Sequence, residues 1–77
     1  STDFSLINRL TDTEKLVLKE VSENRSSLEI AVKLSITNKT VQNHRFNICK
    51  KMKLEGVNSL LSYALLNKQM IQLILPD

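Results

Sequence analysis

The stretch SSLEIAVKLSITNKTVQNHRFNICKKMK, residues 26–53, contains the signals for two helices joined by a tight turn. Ser26 and Glu29 have the spacing of a capping box, in which each side chain bonds the other residue's backbone amide. This box predicts a helix over residues 27–34. Thr37 is a good N-cap for the next helix, which we expect over residues 38–52. Two short helices connected in this way form a helix-turn-helix, whose second helix usually enters the major groove of DNA.

Two further helices flank this pair. Thr11 and Glu14 form another capping box, which predicts a helix over residues 12–23, and Asn24 tolerates the left-handed conformation that commonly ends a helix. After Leu54-Glu55-Gly56, a last helix is expected over residues 58–75, before Pro76. With one Gly and one Pro in 77 residues, turn and strand signals are scarce. We therefore predict an all-α fold, a four-helix bundle containing a helix-turn-helix, in a single domain over residues 1–77 with residues 1–10 as a lead-in or linker.

Helical periodicity predicts which apolar side chains form the core. The side chains expected to face it are Leu16, Val17, Leu18 and Val21 in the first helix, Leu28, Ile30, Ala31 and Leu34 in the second, Val41, Ile48 and Met52 in the third, and Val57, Leu60, Leu61 and Ala64 in the fourth. In the lead-in, Phe4, Leu6, Ile7 and Leu10 are expected to pack on the body of the domain.

Charge is concentrated on the third helix. Residues 33–53 contain five Lys, one Arg and one His, and neither Asp nor Glu. Residues 39–53 carry +5, so with a net charge of +3 the rest of the chain carries −2. A solvated helix surface normally mixes both signs, so this distribution indicates an anionic partner, and double-stranded DNA is the partner that fits a helix-turn-helix.

The side of the third helix opposite its core stripe mixes cations with amides. Asn and Gln can bond adenine through two hydrogen bonds, and Lys can contact guanine or phosphate. Arg45 and Lys51 lie nearer the core edge, from which a long side chain can extend to a phosphate. The predicted DNA-binding residues are Thr37, Lys39, Thr40, Gln42, Asn43, Arg45, Phe46, Asn47, Lys50 and Lys53.

Phe46 has two interpretations. In the first, the ring packs on the stem of Lys50 or Lys53, or the helix is rotated slightly, and the residue takes no part in recognition. In the second, the ring meets a thymine methyl group in the major groove. The sequence leaves both open.

A second apolar stripe on the fourth helix predicts a dimer interface. A helix that is apolar on two sides is either wholly buried or at an interface, and small residues would allow two copies of it to approach closely. The alternative is that residues 1–10 fold over this stripe. The predicted dimer-interface residues are Ser59, Ser62, Tyr63, Leu66 and Met70.

The sequence contains no pattern typical of an enzyme, a metal site or a cofactor site. Glu14 and Glu29 are assigned to capping, and His44 to a structural role beside the core. Cys49 is the only cysteine, so no internal disulfide can form. We expect Cys49 to act as a small hydrophobic side chain and not as a redox switch. A chain without disulfides fits a reducing compartment, the cytoplasm. No signal peptide or membrane-spanning segment is predicted. The alternative function is a small helical protein–protein interaction module without DNA binding.

Many spaced residues resemble the LuxR/NarL (FixJ, GerE) type of helix-turn-helix domain. They are Leu10-Thr11 and Glu14, Val17-Leu18, Ser26, Glu29-Ile30-Ala31, Leu34-Ser35-Ile36, Thr40-Val41, His44, Asn47-Ile48 and Lys51-Met52. The chain departs from the family pattern at Asn24, Gln42 and Val57, where Gly, Lys and Arg are usual, and at Phe46, where a polar residue is usual.

This resemblance implies a four-helix domain that serves as the output domain of bacterial response regulators or quorum-sensing receptors. It also implies DNA binding as a homodimer, for which the second stripe of the fourth helix is the predicted contact, and recruitment or blocking of RNA polymerase. Because the chain opens with Ser1, we expect an N-terminal regulatory domain outside it.

Overall fold

The computed structural model describes residues 4–75. After a 3₁₀ helix, Phe4–Arg9, the chain forms α1 (Asp12–Ser22), α2 (Ser27–Leu34), α3 (Asn38–Met52), α4 (Ser59–Leu66) and α5 (Lys68–Ile74). No strand occurs among these described residues. The predicted all-α fold with a helix-turn-helix is therefore confirmed, and residues 4–75 form five α-helices where four were predicted.

The capping boxes form as the sequence predicts. The backbone amide of Thr11 donates to Oε1 of Glu14 over 2.8 Å, and the amide of Glu14 donates to the Thr11 hydroxyl over 3.1 Å. Ser26 and Glu29 repeat this exchange with the same distances, 2.8 and 3.1 Å. Asn24, just after α1, has a φ of 61° and takes the left-handed conformation expected of it. Each box satisfies two backbone donors that a helix start leaves free.

The turn between α2 and α3 is also determined locally. Ser35 is left-handed, with a φ of 58°. The amide of Ile36 donates to the carbonyl of Ala31 over 3.0 Å, which closes the end of α2. The amide of Thr40 donates to the Thr37 hydroxyl over 3.1 Å, which confirms Thr37 as the N-cap of α3. The helix-turn-helix thus consists of α2, residues 35–37 and α3.

The core lies around α1, which packs against α3, α4 and α5. The buried apolar side chains are Ile7, Leu10, Val17, Leu18, Val21, Ile30, Ala31, Val41, Ile48, Met52, Leu60, Ala64, Ile71 and Leu75. The 3₁₀ helix packs against α3, so Ile7 and Leu10 join the body of the domain as expected. Leu6, Leu34 and Leu61 lie partly buried against this core. The predictions for the Phe4 side chain and for Pro76 fall outside what the structure describes.

Three core predictions are wrong. Leu28 is 66% exposed because, at 100° per residue, it lies about 200° around α2 from the buried Ile30. Val57 is 94% exposed because α4 begins only at Ser59, so the helical phase does not extend to it. Leu16 is 38% exposed, at the edge of the buried side of α1.

The predicted continuous helix over residues 58–75 is also wrong. Asn67 has φ −108° and ψ 22°, and α4 ends there. Its side-chain Nδ2 donates to the backbone carbonyl of Tyr63 over 2.9 Å, a local bond by which Asn competes with helical backbone. Beyond this break, α5 packs against α1 and buries Ile71 and Leu75. The separate helix therefore serves to close the core.

Candidate nucleic-acid interface

Helix α3 has one buried side and one exposed side. Val41, Ile48 and Met52 are buried, which confirms the core stripe predicted for this helix. Of the predicted DNA-binding residues, Thr40 and Arg45 are half-buried. The remaining eight are exposed: Thr37, Lys39, Gln42, Asn43, Phe46, Asn47, Lys50 and Lys53. The structure therefore brings the predicted set to one surface, which we call the α3 face.

The start of α3 is held by two hydroxyl groups. Oγ1 of Thr37 lies 2.9 Å from Oγ1 of Thr40 and also accepts the Thr40 amide. Both side chains are thereby oriented by the helix they begin. An exposed helix start of this kind presents free backbone N–H groups and hydroxyl groups. Both can donate hydrogen bonds to phosphate oxygens.

The cations on the α3 face stand apart from the ion pairs that the described residues form. Within residues 5–75, no ion pair involves Lys39, Arg45, Lys50 or Lys53. Elsewhere, the buried Glu20 is paired with Arg25 at 2.7 Å and with Lys33 at 3.0 Å. Arg25 and Lys33 are thus neutralised by Glu20, whereas the α3 face keeps a positive charge that would attract an anionic partner.

Phe46 is part of the α3 face and not of the core. Its side chain is 64% exposed, so a rotated α3 that buries it is excluded. The ammonium group of Lys50, one turn later, lies 5.9 Å from the centre of the ring. This distance is within the roughly 6 Å reach of a cation–π contact. The cation thus lies against the ring while much of Phe46 remains open to solvent.

Lys51 differs from the expectation that it extends to a phosphate. Its Nζ donates to Oε1 of Glu14 over 2.6 Å, and the Glu14 side chain is only 4% exposed. Burial of Glu14 is the strongest single influence on its pKa and acts to raise it. The hydrogen bonds from Lys51 and from the Thr11 backbone amide, with the positive charge of Lys51, outweigh burial and lower the pKa below its usual value. Lys51 therefore anchors α3 to α1.

This anchor was not predicted. The sequence identifies Glu14 as a capping residue, and the structure shows that the same carboxylate has a second partner 37 positions away. Glu29 performs its capping role at the exposed start of α2. Its pKa is lowered, first by the hydrogen bond from the Ser26 backbone amide. For the contact between Lys51 and Glu14, the only signal in the sequence was the apolar spacing that places both α1 and α3 on the core.

Two side chains border the α3 face. His44 and Cys49 are half-buried, at the two edges of the core stripe. Cys49 packs against the core cluster, as expected of a small hydrophobic residue.

Among the described residues, no group of three or more His, Cys, Asp or Glu side chains could hold a metal ion. The helices of the described segment are too short or too polar to cross a membrane.

The predicted dimer stripe is divided between two helices. Ser59 and Tyr63 on α4 are half-buried, whereas Ser62 is exposed. Leu66 is 83% exposed, so the described part of the lead-in does not cover it. Met70 lies on α5, beyond the break at Asn67, and is 39% exposed. The structure also exposes three apolar side chains that the prediction omitted: Leu65, Leu73 and Ile74.

Comparison with known proteins identifies the family. The sequence model of "Bacterial regulatory proteins, luxR family" matches residues 8–64. The "Uncharacterized response regulatory protein YgeK" of Escherichia coli K12 is 35% identical over 65 residues, which is 84% of this chain and 44% of that protein. The "Fimbriae Z protein" of the same strain is 38% identical over 64 residues, 83% of this chain and 30% of that protein.

The "Fimbriae Z protein" of Salmonella typhimurium is 36% identical over 55 residues, 71% of this chain and 26% of that protein. The chain spans less than half the length of each of these relatives. No solved structure gives a significant match. The matched residues 8–64 include α1, the whole helix-turn-helix and most of α4. The chain therefore belongs to the luxR family of bacterial regulatory proteins, of which it is a helix-turn-helix DNA-binding domain.

Proposed function

We propose that this chain is the output domain of a bacterial response regulator and that it inserts α3 into the major groove of double-stranded DNA. The observation that carries the proposal is the α3 face. It has four cations outside any ion pair of the described residues, exposed amides between them, and no acidic residue on the helix itself. A helix of this composition can neutralise phosphates and bond base edges at once.

The α3 residues divide into two groups by their chemistry. Lys39, Arg45, Lys50 and Lys53 are assigned to phosphates, where they position the domain. Gln42, Asn43 and Asn47 are assigned to base edges, because amides offer a donor and an acceptor together. The hydroxyls of Thr37 and Thr40 are assigned to the sugar-phosphate backbone at the start of the helix. His44 supports the face from beside the core.

The dimer is proposed to form through α4 and the start of α5. The exposed Leu66 and the partly exposed Tyr63 and Met70 supply the apolar contact, and Ser59 and Ser62 leave room for a second backbone. Between Val57 and Leu75 the only charged residue is Lys68, so two copies can meet here with little charge to desolvate. A two-fold axis at this surface would place two α3 helices on successive half-sites.

The remainder of the regulator lies outside this chain in the proposal. The response regulatory protein YgeK and the Fimbriae Z protein are each more than twice as long as the region they share with it. We assign a signal-receiving domain to that additional length. We also propose that the DNA-bound dimer recruits or blocks RNA polymerase. The setting is the bacterial cytoplasm.

A charge-reversal experiment tests the proposal. The 77-residue chain is titrated into a fluorescent 20-bp duplex of random sequence at low salt. Lys50→Glu should weaken binding at least tenfold, because it replaces a phosphate contact with a repulsive charge. Lys15→Glu, on α1 and outside both the α3 face and the proposed dimer contact, makes the same change in net charge and should have a much smaller effect. Equal effects from both variants, or no binding by the wild type, would refute binding through α3, and the latter result would favour a protein-interaction module.

A further inference from the structure

Phe46 is an exposed aromatic residue in the middle of the α3 face. At 64% exposure it obtains little of the stabilisation that burial gives an apolar side chain. Its neighbours one turn away are the exposed Gln42 and Asn43 on one side and Lys50 on the other. An apolar side chain kept at this position has a use when a partner covers it.

The ring stands between two surface grooves. One groove is lined, besides Phe46 and Cys49, by Gln42, Arg45, Gly56, Asn58, Ser59 and Leu60. The other is lined, besides the same two residues, by Lys50, Lys53, Leu54 and Glu55. Phe46 thus lines both grooves and remains exposed, with the Lys50 ammonium 5.9 Å from the ring centre. An exposed ring at this position can contact a base edge when α3 enters a DNA groove.

The major groove offers one apolar feature on its base edges. This is the methyl group at C5 of thymine, and the other base edges present hydrogen-bond donors and acceptors. A phenyl ring placed on a donor or acceptor would remove its water without replacing the lost hydrogen bond. The ring therefore favours a methyl group over every other base edge it could meet.

Resting on the proposed function, we infer that Phe46 reads the C5-methyl group of a pyrimidine in the major groove. Thymine carries this group, and so does 5-methylcytosine. Gln42 and Phe46 are four residues apart, roughly 6 Å along the helix axis. That distance is nearly two base-pair steps of about 3.4 Å. Gln42 can thus bond a base edge close to the pyrimidine that Phe46 contacts. The domain would then distinguish thymine from unmethylated cytosine by shape at one position of each half-site.

The experiment removes the methyl group alone. The wild-type chain first selects its preferred duplex from a random 20-bp library. Each thymine of that duplex is then replaced in turn by uracil, which lacks only the C5-methyl group. At one thymine per half-site, the replacement should weaken wild-type binding about fivefold, equivalent to about 1 kcal/mol at 1.4 kcal/mol per tenfold. Phe46→Ser should bind the thymine and uracil duplexes equally.

A cytosine pair provides a second readout. With cytosine at the same position, methylation to 5-methylcytosine should strengthen wild-type binding severalfold and leave Phe46→Ser unchanged. Phe46→Leu keeps an apolar side chain and should retain part of the preference for thymine over uracil. Asn43→Ala should bind more weakly but keep the full preference for thymine over uracil, because this variant loses a base contact but retains the Phe46 ring.

The outcomes separate this inference from the proposed function. If the wild type selects no duplex, DNA binding itself fails, and the inference with it. If the wild type selects a duplex but no uracil replacement matters, or if Phe46→Ser shows the same uracil effect, DNA binding stands and the inference is overturned. Thermal unfolding should place Phe46→Ser within a few degrees of wild type, and a much larger loss would mean that the ring supports the fold instead.

Discussion

The Nζ atom of Lys51, in the last turn of α3, lies 2.6 Å from Oε1 of Glu14, in the first turn of α1. The same oxygen accepts the backbone amide of Thr11 over 2.8 Å. One carboxylate therefore caps α1 and holds the end of α3. Because the Glu14 side chain is 4% exposed and Lys51 is 35% exposed, the pair is shielded from water mainly on the carboxylate side.

Removing the cation of this pair should destabilise the fold. In Lys51→Met the apolar stem remains, but the buried Glu14 loses its charged partner. We expect the free energy of unfolding to fall by about 1–2 kcal/mol. This value is toward the lower end of the stabilisation that hydrogen bonds to charged groups give, because Lys51 is partly exposed. This corresponds to a fall in Tm of roughly 4–16 °C for a domain of this size. Lys50→Met, the neighbouring change at an ammonium that lies over Phe46, is the control and should shift Tm by much less.

The same pair should make stability depend on acid pH. The pKa of Glu14 is lower in the folded protein than its ordinary value of 4.5. The stabilisation is therefore fully present above about pH 4.5 and is lost as the pH falls through the lower folded value. Denaturant unfolding at intervals from pH 7 to pH 3 should show wild type losing more stability than Glu14→Gln. Parallel curves for the two proteins would show that Glu14 is not responsible.

DNA binding should weaken steeply with salt. Because Lys51 is paired with Glu14, four cations of α3 remain for phosphates: Lys39, Arg45, Lys50 and Lys53. At about −0.9 per contact, four contacts give a log–log slope of about −3.6 per protomer, or an affinity loss of roughly 150-fold between 50 and 200 mM salt. Fluorescence anisotropy with a random duplex measures this slope. A flat dependence over that range would contradict the phosphate assignments.

Two residues one turn apart should separate phosphate contact from base contact. Lys39→Ala should weaken binding to all duplexes alike and reduce the salt slope by about 1. Asn43→Ala should cost about 1–3 kcal/mol on the preferred duplex, mainly at one base pair, and leave the salt slope unchanged. Affinities for a set of single-base variants of that duplex provide the comparison. If Asn43→Ala weakens every variant equally, Asn43 does not contact a base.

The proposed dimer depends on Leu66. Since Leu66 is 83% exposed, Leu66→Glu should preserve helicity and Tm. It should abolish cooperative binding to a duplex with two half-sites, because it buries a charge at the dimer contact. Val32→Glu, an equivalent change at an 81% exposed apolar residue on α2, should keep cooperativity. Cooperative binding by the Leu66→Glu variant would mean that the dimer forms elsewhere.

The sequence alone determined the features that depend on residues three or four positions apart. Both capping boxes, the Thr37 N-cap, the left-handed Asn24 and the buried stripe of Val41, Ile48 and Met52 formed as predicted. Each depends on local hydrogen bonds or on the phase of one helix, which neighbouring residues set by themselves. The exposure of the α3 face follows from that same phase, so the candidate DNA-binding residues could be grouped before any tertiary structure was known.

Only the tertiary structure decided what the elements do to each other. The pairing of Lys51 with Glu14 depends on how α3 crosses α1, and no local pattern encodes a contact across 37 positions. The break at Asn67 separates α4 from α5, and α5 packs against α1 and buries Ile71 and Leu75. The exposure of Val57 follows from the residue at which α4 begins. Such features depend on how all the helices pack together into one core. The phase of a single helix cannot predict that packing, because it involves contacts between residues far apart in the sequence.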